Sequence, residues 1–318
     1  MLDLNTKKIK KNAFRITKIR DKTSIRIRIP GGQIPAEIMP TLYKIATEYG
    51  DGKLHMTARQ GFEITGISYE DMDTINEIIA PVIEKLQVSH GVQIEDPKKG
   101  YPASGTRNIS ACIGNRICPY ANYNTTDFAR RLEEAVFPND YHFKFATTGC
   151  PNDCAKACLQ DFGVIGMARV QYNQDLCVGC EACVKNCKKR VVNALELVDG
   201  KVVRNEDKCV ECGECVLTCP MLAWTRKEEK RYKLVIMGRT GKVNPRLART
   251  FIEGADEESI IKIIKNTYDY VDEFIDRSLP KEHVGYIVDR TGYQVFKEWA
   301  LKDVNLPKEA KVAEHIYW

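Results

Sequence analysis

Eight of the thirteen cysteines form two copies of one motif. The spacing C-x2-C-x2-C-x3-C begins at Cys177 and recurs at the same intervals from Cys209. Three closely spaced cysteines can bind three corners of a [4Fe–4S] cluster, and in ferredoxin runs of this type the fourth cysteine binds the other cluster. This rule predicts two groups of ligands, termed set I and set II. Set I is Cys177, Cys180, Cys183 and Cys219, and set II is Cys187, Cys209, Cys212 and Cys215.

A pair of zinc sites is the alternative for these eight residues. Structural zinc sites usually place a loop between two C-x2-C pairs, whereas here three cysteines follow one another at that interval. Pro220 follows the second run, as in ferredoxins, but Lys188 follows the first. That difference changes one turn and removes no ligand, so the spacing favours iron–sulfur clusters over zinc.

Four further cysteines, termed set III, precede the repeat. They are Cys112, Cys118, Cys150 and Cys154. The residues around Gly149 predict a strand end followed by a helix, with Pro151 at its first position. Cys150 and Cys154 would share one face of the first turn, where the positive helix end favours thiolates. The spacing predicts a metal site and leaves the metal open. Cys158, one turn further on, is interpreted as a packed small hydrophobe.

Hydrophobic periodicity predicts the elements that position these cysteines. Residues 24–30 alternate apolar and charged side chains, which is typical of a half-buried strand. The elements expected next are a helix ending at Gly50, strands near 53–58 and 62–66, and a helix from Met72 to Leu86 kinked at Pro81. This β-α-β-β-α order indicates an α+β layer with helices on one side of an antiparallel sheet. The later elements expected are a helix with Phe128, Leu132 and Val136, strands near 142–148 and 232–237, and a long helix from Ile260 to Ile275.

Composition excludes several classes of protein. Hydrophobic residues at 43% and charged residues at 29% are ordinary globular values. The net charge of +5 is modest and the basic residues are scattered, so nucleic-acid binding is not expected. Because no apolar run has the length of a membrane span, we expect a cytoplasmic protein without one. Thiols stay reduced there, so dense cysteines indicate metal ligation rather than disulfides.

Several segments together resemble the siroheme-containing sulfite and nitrite reductases. Set III resembles that family's siroheme–[4Fe–4S] signature, and residues 57–60 (Thr-Ala-Arg-Gln) resemble its Thr-x-Arg-Gln turn. Residues 106–108 and the loop 238–242 resemble further family segments. The two-cluster module that follows residues 163–166 is similar to that of the anaerobic sulfite reductases. The resemblance covers nearly the whole chain.

The resemblance implies a half-fold of that family. Its parts would be a ferredoxin-like N-terminal layer, a mixed α/β siroheme domain and an inserted 2[4Fe–4S] ferredoxin-like domain. The boundaries expected in this chain are 1–90 for the first part, 91–170 with 227–318 for the second, and 171–226 for the third.

The same resemblance implies roles for individual residues. Set III would hold one [4Fe–4S] cluster, which makes three clusters in all, and Cys154 would also be the axial ligand of siroheme. Arg59, Arg107 and Lys144 match basic residues around the substrate, and His142 stands where the family commonly has a second lysine. Such cations would bind the sulfite anion and deliver protons to its departing oxygens. Weaker candidates for binding the siroheme carboxylates are Arg116, Lys156, Arg239 and Lys242.

The activity implied is that of the catalytic subunit of a dissimilatory-type, anaerobic sulfite reductase, which reduces sulfite to sulfide with six electrons. The inserted clusters would carry those electrons. Since the chain lacks a flavin or nicotinamide motif, NADH-linked partner subunits with flavin and further clusters are implied. Many family members carry two fused copies of this fold, so a single copy implies a homodimer or pairing with a related chain.

Two other functions stay open at this point. A siroheme nitrite reductase, which converts nitrite to ammonia, needs the same number of electrons and a similar cationic pocket. A non-catalytic electron-transfer protein would use the duplicated module alone. That second alternative leaves set III unexplained.

Overall fold

The computed structural model describes residues 13–86, 108–137, 139, 141–241, 243–279 and 282–318. Two of the candidate residues, Arg107 and Lys242, lie outside this part of the chain. Its strands are β1 (Phe14–Ile16), β2 (Lys22–Ile27), β3 (Leu54–Met56), β4 (Phe62–Ser68), β5 (Ser110–Ala111), β6 (Phe145–Thr148), β7 (Phe162–Met167), β8 (Val170–Tyr172), β9 (Leu195–Val198), β10 (Lys201–Arg204), β11 (Trp224–Arg226), β12 (Arg231–Ile236), β13 (Arg249–Ala255) and β14 (Lys311–Val312). Its α-helices are α1 (Met39–Glu48), α2 (Met72–Leu86), α3 (Thr125–Val136), α4 (Ala182–Arg190), α5 (Glu214–Thr218), α6 (Glu257–Phe274), α7 (Val284–Thr291) and α8 (Tyr293–Ala300).

Two compact units divide the chain. The first contains the described parts of 1–111, 126–146 and 264–300, and the second contains those of 112–125, 147–263 and 301–318. Within the described residues, no helix is long and apolar enough to cross a membrane.

The first unit contains an antiparallel sheet in the order β1-β2-β4-β3. Ile25 of β2, Ile64 of β4, Leu42 of α1 and Ile79 of α2 are fully buried in one core. Each such side chain stabilises the fold by about 1.5–3 kcal/mol. The predicted β-α-β-β-α order is confirmed, because apolar residues at helical spacing in α1 and α2 cover the apolar face of the sheet.

The strand predicted at 24–30 is β2, which ends three residues earlier than predicted, at Ile27. The chain instead makes a tight turn at Pro30–Gly32. Gly31 has φ +74°, and a Cβ there would lie 2.8 Å from the carbonyl oxygen of Thr126. Only glycine combines that backbone conformation with so close a neighbour.

The second unit is built on strands in the order β14-β13-β12-β7-β6. Leu234 of β12 lies opposite Val164 of β7 and Ile252 of β13, and all three are buried. Continuous apolar runs of this kind are typical of strands covered on both faces. The strand predicted at 232–237 and the helix predicted to run through Ile260 are confirmed as β12 and α6.

The duplicated cysteine motif lies in the same unit, between two paired strands. Val170 of β8 pairs with Arg226 of β11, so the two ends of the segment lie side by side. Between them come α4, the hairpin β9–β10 and α5. The small core of this segment includes Leu195, Val202 and Trp224.

A buried ion pair in the first unit joins the end of β2 to α3. Arg28 directs its Nε and Nη2 at one oxygen of Glu133, at 3.1 and 2.5 Å. The two residues are only 7% and 1% exposed, and the guanidinium carbon lies 3.9 Å from the centre of the Phe137 ring. Burial raises the pKa of Glu133, and the Arg28 charge opposes that rise.

Removing one partner of this pair should destabilise the first unit far more than removing both. Arg28→Met leaves a buried carboxylate without its counter-charge, so we expect the free energy of unfolding to fall by about 3–5 kcal/mol. The double variant Arg28→Met/Glu133→Leu should lose much less than the sum of its single variants. Urea unfolding monitored by circular dichroism measures these differences.

An exposed pair provides the control for that cycle. Arg277 and Asp272 lie 2.9 Å apart with side chains more than half exposed. Arg277→Ala should therefore change the free energy of unfolding by less than about 1 kcal/mol. Additive losses for the Arg28 and Glu133 variants would contradict the prediction.

Candidate functional site

The four cysteines of set I line one small cavity in the second unit. Its other lining residues include Val178, Glu181, Met221 and Trp224. The four cysteines of set II line another cavity, together with Val192 and Glu214. In both cases three cysteines of one run meet the fourth cysteine of the other run, which is the grouping that the ferredoxin rule predicts.

Backbone amides are directed at the fourth cysteine of each run. The Ala194 amide donates to the Cys187 sulfur at 3.2 Å, and the Ala223 amide donates to the Cys219 sulfur at 3.3 Å. A hydrogen bond from an amide favours the thiolate, which is the form that binds metal.

The thiols of both cavities crowd one another. Burial raises the pKa of Cys215 to about 12, with further increases from neighbouring Cys212 and Cys209. Burial also raises the pKa of Cys183, which Cys219 raises further. Four thiolates brought so close repel one another unless positive charge lies between them, as it does in a metal cluster.

The grouping of the cysteines is the one expected for clusters. Each cavity joins three cysteines of one run to the fourth cysteine of the other run. A cubane cluster receives each cysteine at a separate iron corner.

Set III also comes together in the second unit. The Gly149 amide donates to the Cys112 sulfur at 3.1 Å. Burial raises the pKa of Cys150, and the neighbouring thiols of Cys118, Cys112 and Cys154 raise it further. Cys154 differs from the others because it is exposed.

The prediction of an α-helix that begins at Pro151 is wrong. Residues 149–156 form turns, and the following helical segment is a short 3-10 turn at Ala157–Leu159. Asp153 has φ +48°, and its carboxylate accepts the amides of Ala157 and Cys158 at 2.6 and 3.0 Å. These bonds cap the start of the 3-10 turn. The helical segment therefore begins after Asp153 and not at Pro151.

Cys158 lies in that 3-10 turn, half-buried and outside all three sets. Burial raises the pKa of its thiol to about 11, so it stays protonated at neutral pH. A neutral, half-buried thiol agrees with its interpretation as a packed small side chain.

Arg59 lies on the turn between β3 and β4 in the first unit. This turn is closed by the Thr57 hydroxyl, which accepts the Gly61 amide at 3.0 Å. Arg59 lines a cavity of about 240 Å³ together with Arg26 and Arg28. Those two arginines are paired with Glu63 and Glu133, so the cavity wall carries guanidinium groups held in fixed positions by carboxylates.

Two positioning side chains were not predicted from the sequence. Gln60 pairs with the backbone of Ala111, donating to its oxygen at 2.7 Å and accepting its amide at 2.8 Å. Asn108 donates to the oxygens of Arg59 and Ile29. They fix the Arg59 turn to the strand that leads directly into Cys112. A signal for them was present in part, because Gln60 and Asn108 both belong to the segments that resemble the family.

His142 and Lys144 lie just before β6, which begins at Phe145 rather than near residue 142 as predicted. The expected alternation holds nonetheless, since Phe143 and Phe145 are buried while His142 and Lys144 are half-buried. The ring of His142 lies 5.2 Å from that of His283. The first unit thus holds both candidate proton donors as well as Arg59.

The candidates for binding carboxylates differ in their surroundings. Arg116 and Lys156 are exposed in the second unit. Arg239 is 6% exposed and donates its Nε to the oxygen of Asn244 at 2.7 Å. That bond closes the loop that precedes β13, which is a structural use for this side chain.

Two family models match this chain. Residues 103–308 match the nitrite and sulphite reductase 4Fe-4S domain, and residues 18–82 match the nitrite/sulfite reductase ferredoxin-like half domain. The chain belongs to the nitrite and sulphite reductase family. In this family member, the 4Fe-4S domain match includes every cysteine of the three sets.

Relatives of this reductase-family chain include two sulfite reductases. It is 45% identical over 309 residues to the C subunit of the anaerobic sulfite reductase of Salmonella typhimurium, covering 97% of this chain and 92% of the relative. It is 31% identical over 289 residues to the coenzyme F420-dependent sulfite reductase of Methanocaldococcus jannaschii, covering 86% of this chain and 41% of that protein.

Solved structures show the same reductase fold. Dissimilatory sulfite reductase I aligns with a TM-score of 0.69 at 18% identity, over 93% of this chain and 73% of that one. Mycobacterium tuberculosis NirA aligns with a TM-score of 0.58 at 13% identity, over 94% of this chain and 47% of that one. The α+β nitrite and sulfite reductase fold expected from the sequence is confirmed.

Gly149→Ala should disrupt set III. A Cβ at this position would lie 2.3 Å from the Cβ of Ala121 and 3.0 Å from its Cα, and the backbone cannot move aside without shifting the Cys112–amide bond. We expect a loss of about 1–3 kcal/mol in stability and a lower iron content per chain. Thermal unfolding and colorimetric iron analysis measure both.

The matched control is Gly241→Ala. Nothing lies within 4 Å of a Cβ at Gly241, and its φ is an ordinary one. This variant should keep both the melting temperature and the iron content of the unmodified protein. Equal behaviour of the two variants would show that the close approach at Gly149 is unimportant.

Proposed function

We propose that this chain is the catalytic subunit of a siroheme-dependent anaerobic sulfite reductase. The observation that carries the proposal is set III, four thiols gathered at one place of which Cys154 alone is exposed. The 45% identity to the C subunit of an anaerobic sulfite reductase, over 92% of that protein, supports the same conclusion.

The four cysteines of set III hold one [4Fe–4S] cluster in this proposal. The exposed Cys154 would hold siroheme through its sulfur. When bound, siroheme would supply the redox chemistry for the reduction of sulfite. Arg116 and Lys156 are exposed cations in the same unit, suited to the siroheme carboxylates. Arg107, Lys242 and Arg239 keep their proposed roles from the sequence, and Arg239 also donates its Nε to the Asn244 oxygen.

The reaction consumes six electrons and six protons as sulfite becomes sulfide and three waters. Arg59 binds the sulfite oxygens, and its turn is held rigid by Gln60 and Asn108. Lys144 and His142 hold protons for the departing oxygens. Lysine carries its charge throughout the neutral range, whereas an imidazole can both donate and regain a proton near pH 7.

The duplicated module carries electrons toward set III. Two contacts within the second unit support this route. The Ala168 amide donates to the Glu211 oxygen at 2.7 Å, beside set II. Arg226 donates to the oxygen of Pro119 at 2.9 Å, one residue after Cys118. Set II is thereby linked through β11 to the loop that carries set III.

Partners must supply the electrons. We propose NADH-linked donor subunits with flavin and iron–sulfur centres, as the name of the Salmonella relative implies a multi-subunit enzyme. Because twelve cysteines are proposed as cluster ligands, the protein is expected in a reducing compartment such as the cytoplasm.

An absorption spectrum tests the catalytic assignment directly. The purified protein should show siroheme bands together with iron–sulfur absorption, and Cys154→Ser should lose the coupling between the two. With reduced viologen as donor, sulfite should give a higher kcat/KM than nitrite. Protein that binds no siroheme when it is supplied would exclude the sulfite and nitrite reductase functions together, and would leave electron transfer.

This chain has a single copy of the fold, whereas many family members have two. The basic residues of one chain could therefore bind substrate at the cluster of another chain. We propose that two copies, or this chain and a related one, complete each site. Mixing an Arg59→Ala chain with a Cys154→Ser chain should restore about a quarter of the activity, because half of the pairs would be mixed and each mixed pair would contain one intact site of two. Recovery must be absent when each variant is assayed alone. Mixed chains that form pairs but recover no activity would refute shared sites.

A further inference from the structure

Trp224 presents an unusual indole to the set I cavity. Its side chain is 2% exposed, and its buried Nε1 has no hydrogen-bond acceptor at bonding distance within the described residues. A buried N–H that finds no partner costs about 1–3 kcal/mol. The ring lines the set I cavity beside Cys183.

The orientation of this indole is fixed by its neighbours. Its ring stacks on Tyr172, with centroids 4.4 Å apart and an angle of 26° between planes, and the two backbones pair across β8 and β11. Trp224 and Cys183 line the same cavity, and the buried Nε1 has no acceptor at bonding distance among the described residues. A fixed, buried N–H at this place suits a donor to sulfur atoms in the cavity.

Set II has buried carboxylates in its wall, whereas the glutamate that lines the set I cavity, Glu181, is partly exposed and paired with Lys185. Glu214 is 7% exposed and accepts the Asn186 amide at 2.9 Å, and one carboxylate oxygen of Glu211 is buried without a hydrogen-bond donor among the described residues. Both glutamates line the set II cavity, as does Arg204, whose charge is paired with the Glu206 carboxylate at 2.6 Å. Carboxylates in a site of low dielectric oppose the addition of an electron nearby.

The internal repeat shows that these features are not common to both runs. In the register of the repeat, Trp224 corresponds to Val192, which lines the set II cavity. Glu211 and Glu214 correspond to Gly179 and Ala182. The N–H donor therefore belongs to set I and the buried carboxylates to set II, and the equivalent positions of the other run carry apolar groups.

We propose that Trp224 and Glu214 set different reduction potentials at the two centres of the module, with the higher potential at set I. The inference rests on the proposed function, because it requires a [4Fe–4S] cluster at each set. A hydrogen bond to a cluster sulfur stabilises the reduced, more negative state and raises the potential, whereas a nearby carboxylate lowers it.

The higher potential lies where electrons can enter. Val178 and Leu222, next to the cysteines of set I, are 64% and 67% exposed, and Cys180 itself is exposed. A one-electron protein donor, such as a reduced iron–sulfur or flavin protein, can approach this rim. It is oxidised by one electron, and set I is reduced by the same electron. Transfer from set I to set II, next to Ala168 and Glu211, is then uphill, and under the proposed function it is drawn forward by the consumption of electrons beyond set III.

Redox titration of the full-length protein, monitored by electron paramagnetic resonance, tests the proposal. Trp224→Phe removes the N–H and keeps an aromatic ring, so the potential of one cluster should fall. A tenfold change in its reduction equilibrium corresponds to about 59 mV for one electron. Glu214→Gln removes a charge at similar size, so the potential of a different cluster should rise.

Matched substitutions elsewhere provide the controls. Trp299→Phe makes the same change in a ring that packs against Phe274, and Glu196→Gln makes it at an exposed position of β9. Neither should move any cluster potential. Unchanged potentials in Trp224→Phe and Glu214→Gln, or shifts of the opposite sign, would overturn the inference while leaving the proposed function intact.

A measurement on the unmodified sequence covers the case in which Trp224→Phe does not fold. Tryptophan labelled with 15N at the indole should give a hyperfine coupling to one reduced cluster in pulsed electron paramagnetic resonance. The absence of this coupling, with clusters present, overturns the role of Trp224. The absence of every [4Fe–4S] signal would instead overturn the proposed function itself.

Discussion

The mutual repulsion of thiolates is the constraint on which the second unit depends. Twelve cysteines lie in three groups of four, and burial and neighbouring thiols both raise pKa values, as for Cys150 and Cys215. Such groups are stable only around positive charge. The amides at Gly149, Ala194 and Ala223, each directed at a cysteine sulfur, supply part of that charge before any metal is considered.

The elements and the grouping of cysteines could be predicted because they depend on local spacing. The helix from Met72 to Leu86 follows from its apolar stripe, and the crossed sets follow from the intervals within each run. The helix after Pro151 could not be predicted correctly. The prediction failed because Asp153 has a left-handed backbone and its carboxylate accepts two amides. The sequence pattern, which otherwise suits a helix start, does not show either feature.

The candidate site was predicted less completely, since it depends on pairings distant in sequence. Arg59 was found through a resemblance, yet nothing in its own segment shows that Arg26 and Arg28 line the same cavity. The hydrogen bond between Gln60 and Ala111 joins residues that are 51 positions apart in the sequence. A short polar motif can thus indicate the chemistry, but the side chains that hold it rigid become known only when the strands are paired.

The internal repeat separates what the backbone requires from what each centre requires. Gly179 and Glu211 occupy equivalent positions and both have positive φ, as do Glu181 and Gly213. Left-handed backbone at glutamate costs about 1–2 kcal/mol, which glycine would avoid. Wrapping the cysteines around a common centre therefore requires positive φ at these positions. It does not determine whether the residue there is glycine or glutamate. Glu211 carries that cost beside set II and Glu181 carries it beside set I, and in each case glycine takes the equivalent place in the other run.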